Sequence, residues 1–315
     1  MSDCVRSIPA QQYKSPRSTD IANIFDRTYT QIMNRFLASE LKETTPEQCR
    51  FQIVPVPFEA TVSYGGGTSS GPHAILEASD QLELWDGESI PADEGIFTHT
   101  PVDCTGPTEQ VLARIEAAVT AASEHGLPVM LGGEHSVTLG ALRALKKKHG
   151  SFGIVQFDAH ADLRKAYEGD PYSHASVMHR ALELELPIFQ LGVRAFCTEE
   201  VAVRAKHNIP HIDAKELARN PLPEILLPED FPKNIYITFD VDGLDPSVIR
   251  ATGTPVPGGI QWWQALTLLE KAVENRNVIG CDVVELAPQE GDHASDFAAA
   301  QLTYSMLGII QRSNK

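Results

Sequence analysis

Short, wholly apolar runs alternate with helical patterns from residue 51 to the end of the chain, and this alternation constrains the fold more than any other feature. The runs are FQIVPVPF, LPVMLGG, FGIVQFDAH, PIFQLGVRA, NIYITFDVD and VIGCDVVEL. Between and after them lie HAILEASD, TEQVLARIEAAVTAASEHG, SVTLGALRALKKKHG, QWWQALTLLEKAVENR and SDFAAAQLTYSMLGIIQR, each with the spacing of an amphipathic helix. A strand that is apolar on both of its faces needs cover on both sides, and strands separated by helices pair in parallel. The pattern predicts an α/β fold, a central parallel β-sheet between two layers of helices.

No internal repeat or linker interrupts this pattern, so residues 51–315 read as a single domain. Ahead of it, residues 1–50 read as an N-terminal arm and helix. The first 20 or so are polar, and IFDRTYTQIMNRFLASEL sets Ile24, Phe25, Tyr29, Ile32, Met33, Phe36 and Leu37 at helical spacing. The N-terminus has no apolar core of a signal peptide, and no window reaches the ~18 to 20 apolar residues of a membrane span. The expected location is cytoplasmic, with no membrane partner. Five cysteines without a C-x-x-C pair suggest neither a disulfide framework nor a thiolate zinc site. A formal net charge of -16 repels nucleic acid and favours a small cationic partner.

Ligands of open α/β sheets bind beyond the carboxyl ends of the strands, and the unusual residues of this chain sit there. LPVMLGG runs into Glu134 and His135; GIVQF into Asp158, His160 and Asp162; NIYITF into Asp240 and Asp242; VIGCDVV into Glu285. In an extended chain residues i, i+2 and i+4 share a side, so D-x-H-x-D can converge on one point and D-x-D can add two ligands. Four crowded carboxylates repel one another unless cations neutralise them, and two divalent ions would do so. Carboxylate and imidazole donors without cysteine suit Mn²⁺ or a similar ion, and a pair of such ions can activate water for hydrolysis. The GGG at 65–67 lacks a phosphate-binding pattern and reads as a plain loop.

Taken together, VPFEATVSYGGGTSSGPHAILEAS, LGGEHSVTLGALRAL, FDAHADLR, YSHASV, TFDVDGLDPS, ATGTPVPGG and DVVELAP resemble the ureohydrolase family, binuclear manganese enzymes that include arginase and agmatinase. The resemblance covers nearly all of residues 51–312. It implies an arginase-like fold and two Mn²⁺ per subunit. One ion would be held by His135, Asp158, Asp162 and Asp240, the other by Asp158, His160, Asp240 and Asp242. It further implies His174 as a proton shuttle, Glu285 as the partner of a guanidinium and Thr254 as a hydrogen-bonding residue near the attacking oxygen. A trimeric or hexameric homo-oligomer is common in that family.

The substrate implied is a small cationic guanidino compound. Arginase-like sequences carry a Ser-Gly-Asn run before the loop histidine, whereas this chain has KAYEGDPYSHAS, with Glu168 and Asp170 suited to a second cation. That favours agmatine, with N1-aminopropylagmatine, guanidinobutyrate and arginine open. Two further readings stand beside it. An amide hydrolase of the deacetylase type would bind one ion per chain, and a non-catalytic metal- or polyamine-binding protein would release no urea.

Overall fold

The computed structural model describes residues 35–313. Eight strands form one parallel sheet: β1 (Phe51–Val56), β2 (Ile96–Thr98), β3 (Leu127–Gly132), β4 (Gly153–Phe157), β5 (Ile188–Leu191), β6 (His211–Ile212), β7 (Asn234–Asp240) and β8 (Asn277–Val284). Their order across the sheet is β2-β1-β3-β8-β7-β4-β5-β6, every pairing parallel. The helices are α1 (Gly71–Ser79), α2 (Thr108–His125), α3 (Thr138–His149), α4 (Val177–Glu183), α5 (Thr198–Lys206), α6 (Ala214–Leu217), α7 (Trp262–Val273) and α8 (His293–Ser313).

The three-layer arrangement follows from how each strand divides its side chains. On β1, Phe51 and Ile53 enter one core while Val54 and Val56 enter the other. On β7, Ile235, Ile237 and Phe239 share the first core and Tyr236 belongs to the second. Helices α1, α7 and α8 cover the first face; α2, α3 and α4 cover the second. Burial on both sides is what made the strand sequences apolar throughout rather than alternating.

The six strands expected from the apolar runs are present. The two not foreseen, β2 and β6, are edge strands of three and two residues, too short to leave a pattern. The helix expected around residues 24–41 lies almost wholly outside the described residues; its last part, 35–41, is a turn in which Leu41 N–H donates to the Leu37 carbonyl. Phe36 and Leu37 are buried in the first core, and Leu37 N–H donates to Ser79 Oγ on α1 at 2.9 Å.

Candidate metal centre

The carboxyl ends of β3, β4, β7 and β8 are neighbours at the middle of the sheet, and their loops bring the foreseen residues together. Phe157 and Phe239, which precede Asp158 and Asp240, stack with ring centroids 4.7 Å apart. This contact sets the two carboxylates side by side. Two overlapping groups have donor atoms close enough to hold an ion: His135, Asp158 and Asp240, and Asp158, His160 and Asp242. Asp162 joins the first, its Oδ2 lying 3.0 Å from His135 Nδ1; Asp158 and Asp240 lie 3.2 and 3.5 Å from that nitrogen. In the second, His160 Nδ1 is 3.0 Å from Asp242 and 3.6 Å from Asp158.

The convergence does not come from a strand that stays extended. Beyond Phe157 the chain leaves the sheet and Asp162 takes a left-handed backbone, φ 53°. Beyond β7, Val241–Gly243 turn into a 3-10 helix. The spacing works because each first Asp bends its own chain: Asp158 Oδ1 accepts the N–H of His160 at 2.6 Å, and Asp240 Oδ1 that of Asp242 at 2.8 Å. Gly243 completes the approach, since a Cβ there would lie 2.8 Å from the Asp158 nitrogen.

Polar residues behind these candidate donors decide which atoms they present. Asp282 on β8, fully buried, is the direct cross-strand partner of Thr238 on β7. Its carboxylate accepts the hydroxyls of Thr238, Thr138 and Tyr236, each at 2.7 Å. With its proton committed to Asp282, Thr238 Oγ1 can only accept from His135 Nε2, 2.9 Å away. His135 Nδ1 is thereby left as the lone-pair nitrogen, and this buried atom has no hydrogen-bond partner. A buried nitrogen without a donor, facing three carboxylate oxygens, suits a cation. Gln156 adds a donor to Asp158 Oδ2 at 2.7 Å.

The electrostatics agree. Burial raises Asp240 well above the usual carboxylate range, reinforced by Asp242 and Asp158. Burial, then the charge of Asp158, pushes Asp162 up to about 7. Burial also opposes charge on His160, yet Asp242 and Asp158 push it up to about 12. His135 is likewise raised, against its burial, by Asp158, Asp162 and Asp240. The cluster holds protons where cations would serve it, as expected of a set of donors built for divalent ions.

Glu285, just past β8, has a left-handed backbone (φ 67°), a conformation costly for a non-glycine residue and concentrated at functional positions. Its N–H donates to the Gly133 carbonyl and its Oε1 accepts the His135 N–H at 2.6 Å. Burial raises its carboxyl well above the ordinary range. His174, Thr254 and Glu285 line one cavity of about 340 Å³ with His160, Asp162, Asp240 and Asp242. Thr252, not foreseen, lines it too, with a buried hydroxyl lacking a partner.

Glu168 and Asp170 are not in the cavity wall. They belong to a tight turn closed by reciprocal backbone bonds between Tyr167 and Asp170, with Glu168 and Gly169 at positive φ. Glu168 is exposed and Asp170 caps the N–H of Tyr172. The wall at this point is made by Arg164, Tyr167, Phe196, Cys197 and Glu200. The glycine loop at 65–67 does cradle an anion, but it is the protein's own: Glu59 Oε2 accepts from Gly67 N–H, Ser69 N–H and the Thr68 hydroxyl.

Residues 49–308 match the model of the arginase family. The chain belongs to that family. Among its relatives, it is 38% identical over 301 residues to the N(1)-aminopropylagmatine ureohydrolase of Synechocystis, covering 91% of this chain and 97% of that one. It is 34% identical over 265 residues to the agmatinase of Bacillus subtilis, covering 81% and 90%. The crystal structure of the agmatine ureohydrolase of Thermoplasma volcanium superposes with a TM-score of 0.77 at 30% identity, over 85% of this chain and 92% of that one. Among the described residues of this arginase-family chain, no helix is long and apolar enough to cross a membrane.

Proposed function

We propose that the chain is a binuclear manganese ureohydrolase that splits agmatine into putrescine and urea. The observation that carries this reading is the pair of donor groups sharing Asp158, with Glu285 docked on the backbone of His135 beside them. His135, Asp158, Asp162 and Asp240 would hold one ion, and Asp158, His160, Asp240 and Asp242 the other. When bound, such a pair supplies an activated water at neutral pH and positive charge to stabilise the attack on carbon.

The remaining work falls to the chain's own residues. Glu285 is a carboxylate suited to a forked guanidinium, and binding that cation offsets the burial that raises its pKa. Held there, the substrate carbon is fixed against the ligand cluster. Thr254 lines the same cavity, and its hydroxyl offers a hydrogen bond near the attacking oxygen. His174 hands a proton to the departing amine. Its burial holds it below the ordinary histidine value, so the ring is neutral and able to take up the proton it later delivers. Tyr167 and Phe196 give apolar walls to an unbranched alkyl chain.

N1-aminopropylagmatine is a second substrate reading, supported by the 38% identity to the Synechocystis relative of that name. Urea release by Mn²⁺-loaded protein from agmatine, N1-aminopropylagmatine, guanidinobutyrate and arginine, with a chelated control, decides between them. The ratio of kcat/KM for the first two compounds assigns the substrate. Urea from neither, with two ions bound per chain, rejects the activity.

A further inference from the structure

A second relay of the same form as Asp282–Thr238–His135 lies outside the ligand cluster. Glu134, between Gly133 and His135, is fully buried, an expensive place for a carboxylate unless every lone pair is met. It is met four times. Oε2 accepts the N–H groups of Ala60 and Thr61, both at 2.6 Å; Oε1 accepts the hydroxyls of Thr61 at 2.8 Å and Ser136 at 2.5 Å. This explains how the segment after β1 is pinned over the end of β3.

Its consequence is for His174. Thr61 Oγ1 has one proton, given to Glu134, and two lone pairs. One accepts the backbone N–H of His174 at 3.0 Å, and the other faces His174 Nδ1 at 3.1 Å. A hydroxyl whose proton is committed elsewhere can meet that nitrogen only as an acceptor. The ring nitrogen must then bring the hydrogen. Ser173 Oγ is also near Nδ1, at 3.3 Å, and accepts the N–H of Ala175.

We infer that Thr61, oriented by Glu134, is a positioning residue that holds His174 as the Nδ1–H tautomer, with its Nε2 lone pair free for proton transfer. The inference rests on reading His174 as the proton carrier. One proton, given up by the water that adds to the carbon, enters at Nε2. It leaves to the amine nitrogen, which keeps the electron pair of the broken C–N bond, and Nδ1–H is unchanged throughout. A ring protonated at Nε2 instead would set two lone pairs, of Nδ1 and Oγ1, against each other, and its one basic nitrogen would be the one that faces Thr61.

Neutron diffraction from crystals of the Mn²⁺-loaded wild-type protein tests this without any substitution: the expected deuterons are on His174 Nδ1 and between Thr61 and Glu134. A deuteron on Nε2 alone overturns the inference. In kinetics, Thr61→Val should lower kcat for urea release at least tenfold with KM and bound metal unchanged, Thr61→Ser should restore most of it, and Ser173→Ala should leave it intact. Full kcat in Thr61→Val, in a background where His174→Ala is inactive, overturns the positioning role. If His174→Ala keeps full activity, the proton-carrier reading fails instead, and the neutron result still decides the tautomer.

Discussion

Thr238 Oγ1 lies 2.9 Å from His135 Nε2, and the geometry of Asp282 behind it makes Thr238 the acceptor. This fixes Nδ1 as the nitrogen that meets Asp158, Asp162 and Asp240. Thr238→Val preserves shape but removes the acceptor, so it should weaken divalent binding roughly 10- to 100-fold. Thr238→Ser should stay near wild type. Competition with a chelator of known affinity measures both, and equal affinity in the valine variant would rule out the relay as a device for orienting the ligand.

The repulsion among buried carboxylates has its own signature in metal-free protein. An aspartate whose folded pKa is raised keeps its proton above the unfolded value, near 3.9, and its cost to stability grows as pH rises until the folded value is reached. Asp240 is raised in this way, by its burial first and then by the charges of Asp242 and Asp158. Chelated wild-type protein should therefore lose stability relative to Asp240→Asn as pH rises from about 4, so that the asparagine variant has the higher Tm at pH 7. Adding Mn²⁺ should invert the ranking, because only the wild type gains the ligand's binding free energy. Thermal scans with and without chelator across that pH range supply the comparison.

Which residues gather at the centre was legible because aspartate and histidine at the ends of apolar strands have few structural explanations in combination. How they gather was not. The spacing suggested an extended chain, whereas Asp162 reaches the cluster through a left-handed backbone and Asp242 through a 3-10 turn. Spacing constrains which atoms can meet but leaves the turn open. The residues behind the candidate donors were missed because a single threonine is ordinary in a strand. One signal was present: Thr238 and Asp282 interrupt otherwise apolar runs, YITF and GCDVV, at positions the fold then pairs and buries. A polar residue inside a doubly covered strand needs a partner. Glu168 and Asp170 misled for the opposite reason, since charge in a loop says nothing of its direction until the turn is known.

Glu59 gives a second dependence on pH, of opposite sign. Burial alone would raise its pKa, but the donors of Ser69, Gly67 and Thr68 hold it below the ordinary value. A group depressed in the folded state stabilises above its unfolded pKa, and that contribution disappears as pH falls through the folded value. The wild type should thus exceed Glu59→Gln in Tm at pH 7, with the gap closing below about pH 4.5. A gap independent of pH would mean that the loop does not depend on the charge of Glu59.

Arg194 carries the last expectation, because it connects the turn that bears Asp242 to the rest of the cavity. Its half-buried guanidinium donates to the carbonyls of Gly192, Asp242, Gly243, Leu244 and Val256, tying the turn that presents Asp242 to the loop after Thr254. Five planar donors match such a set of carbonyls in a way that an ammonium cannot. Arg194→Met fills the space but leaves these carbonyls short of donors, and should cost roughly 3 kcal/mol. Arg194→Lys should recover only part of this. Since the turn also sets where Asp242 meets His160, both variants should lose affinity for the second ion before the first. Stepwise metal titration followed by calorimetry reads this directly, and parallel weakening of the two ions would show that Arg194 supports the fold without positioning Asp242.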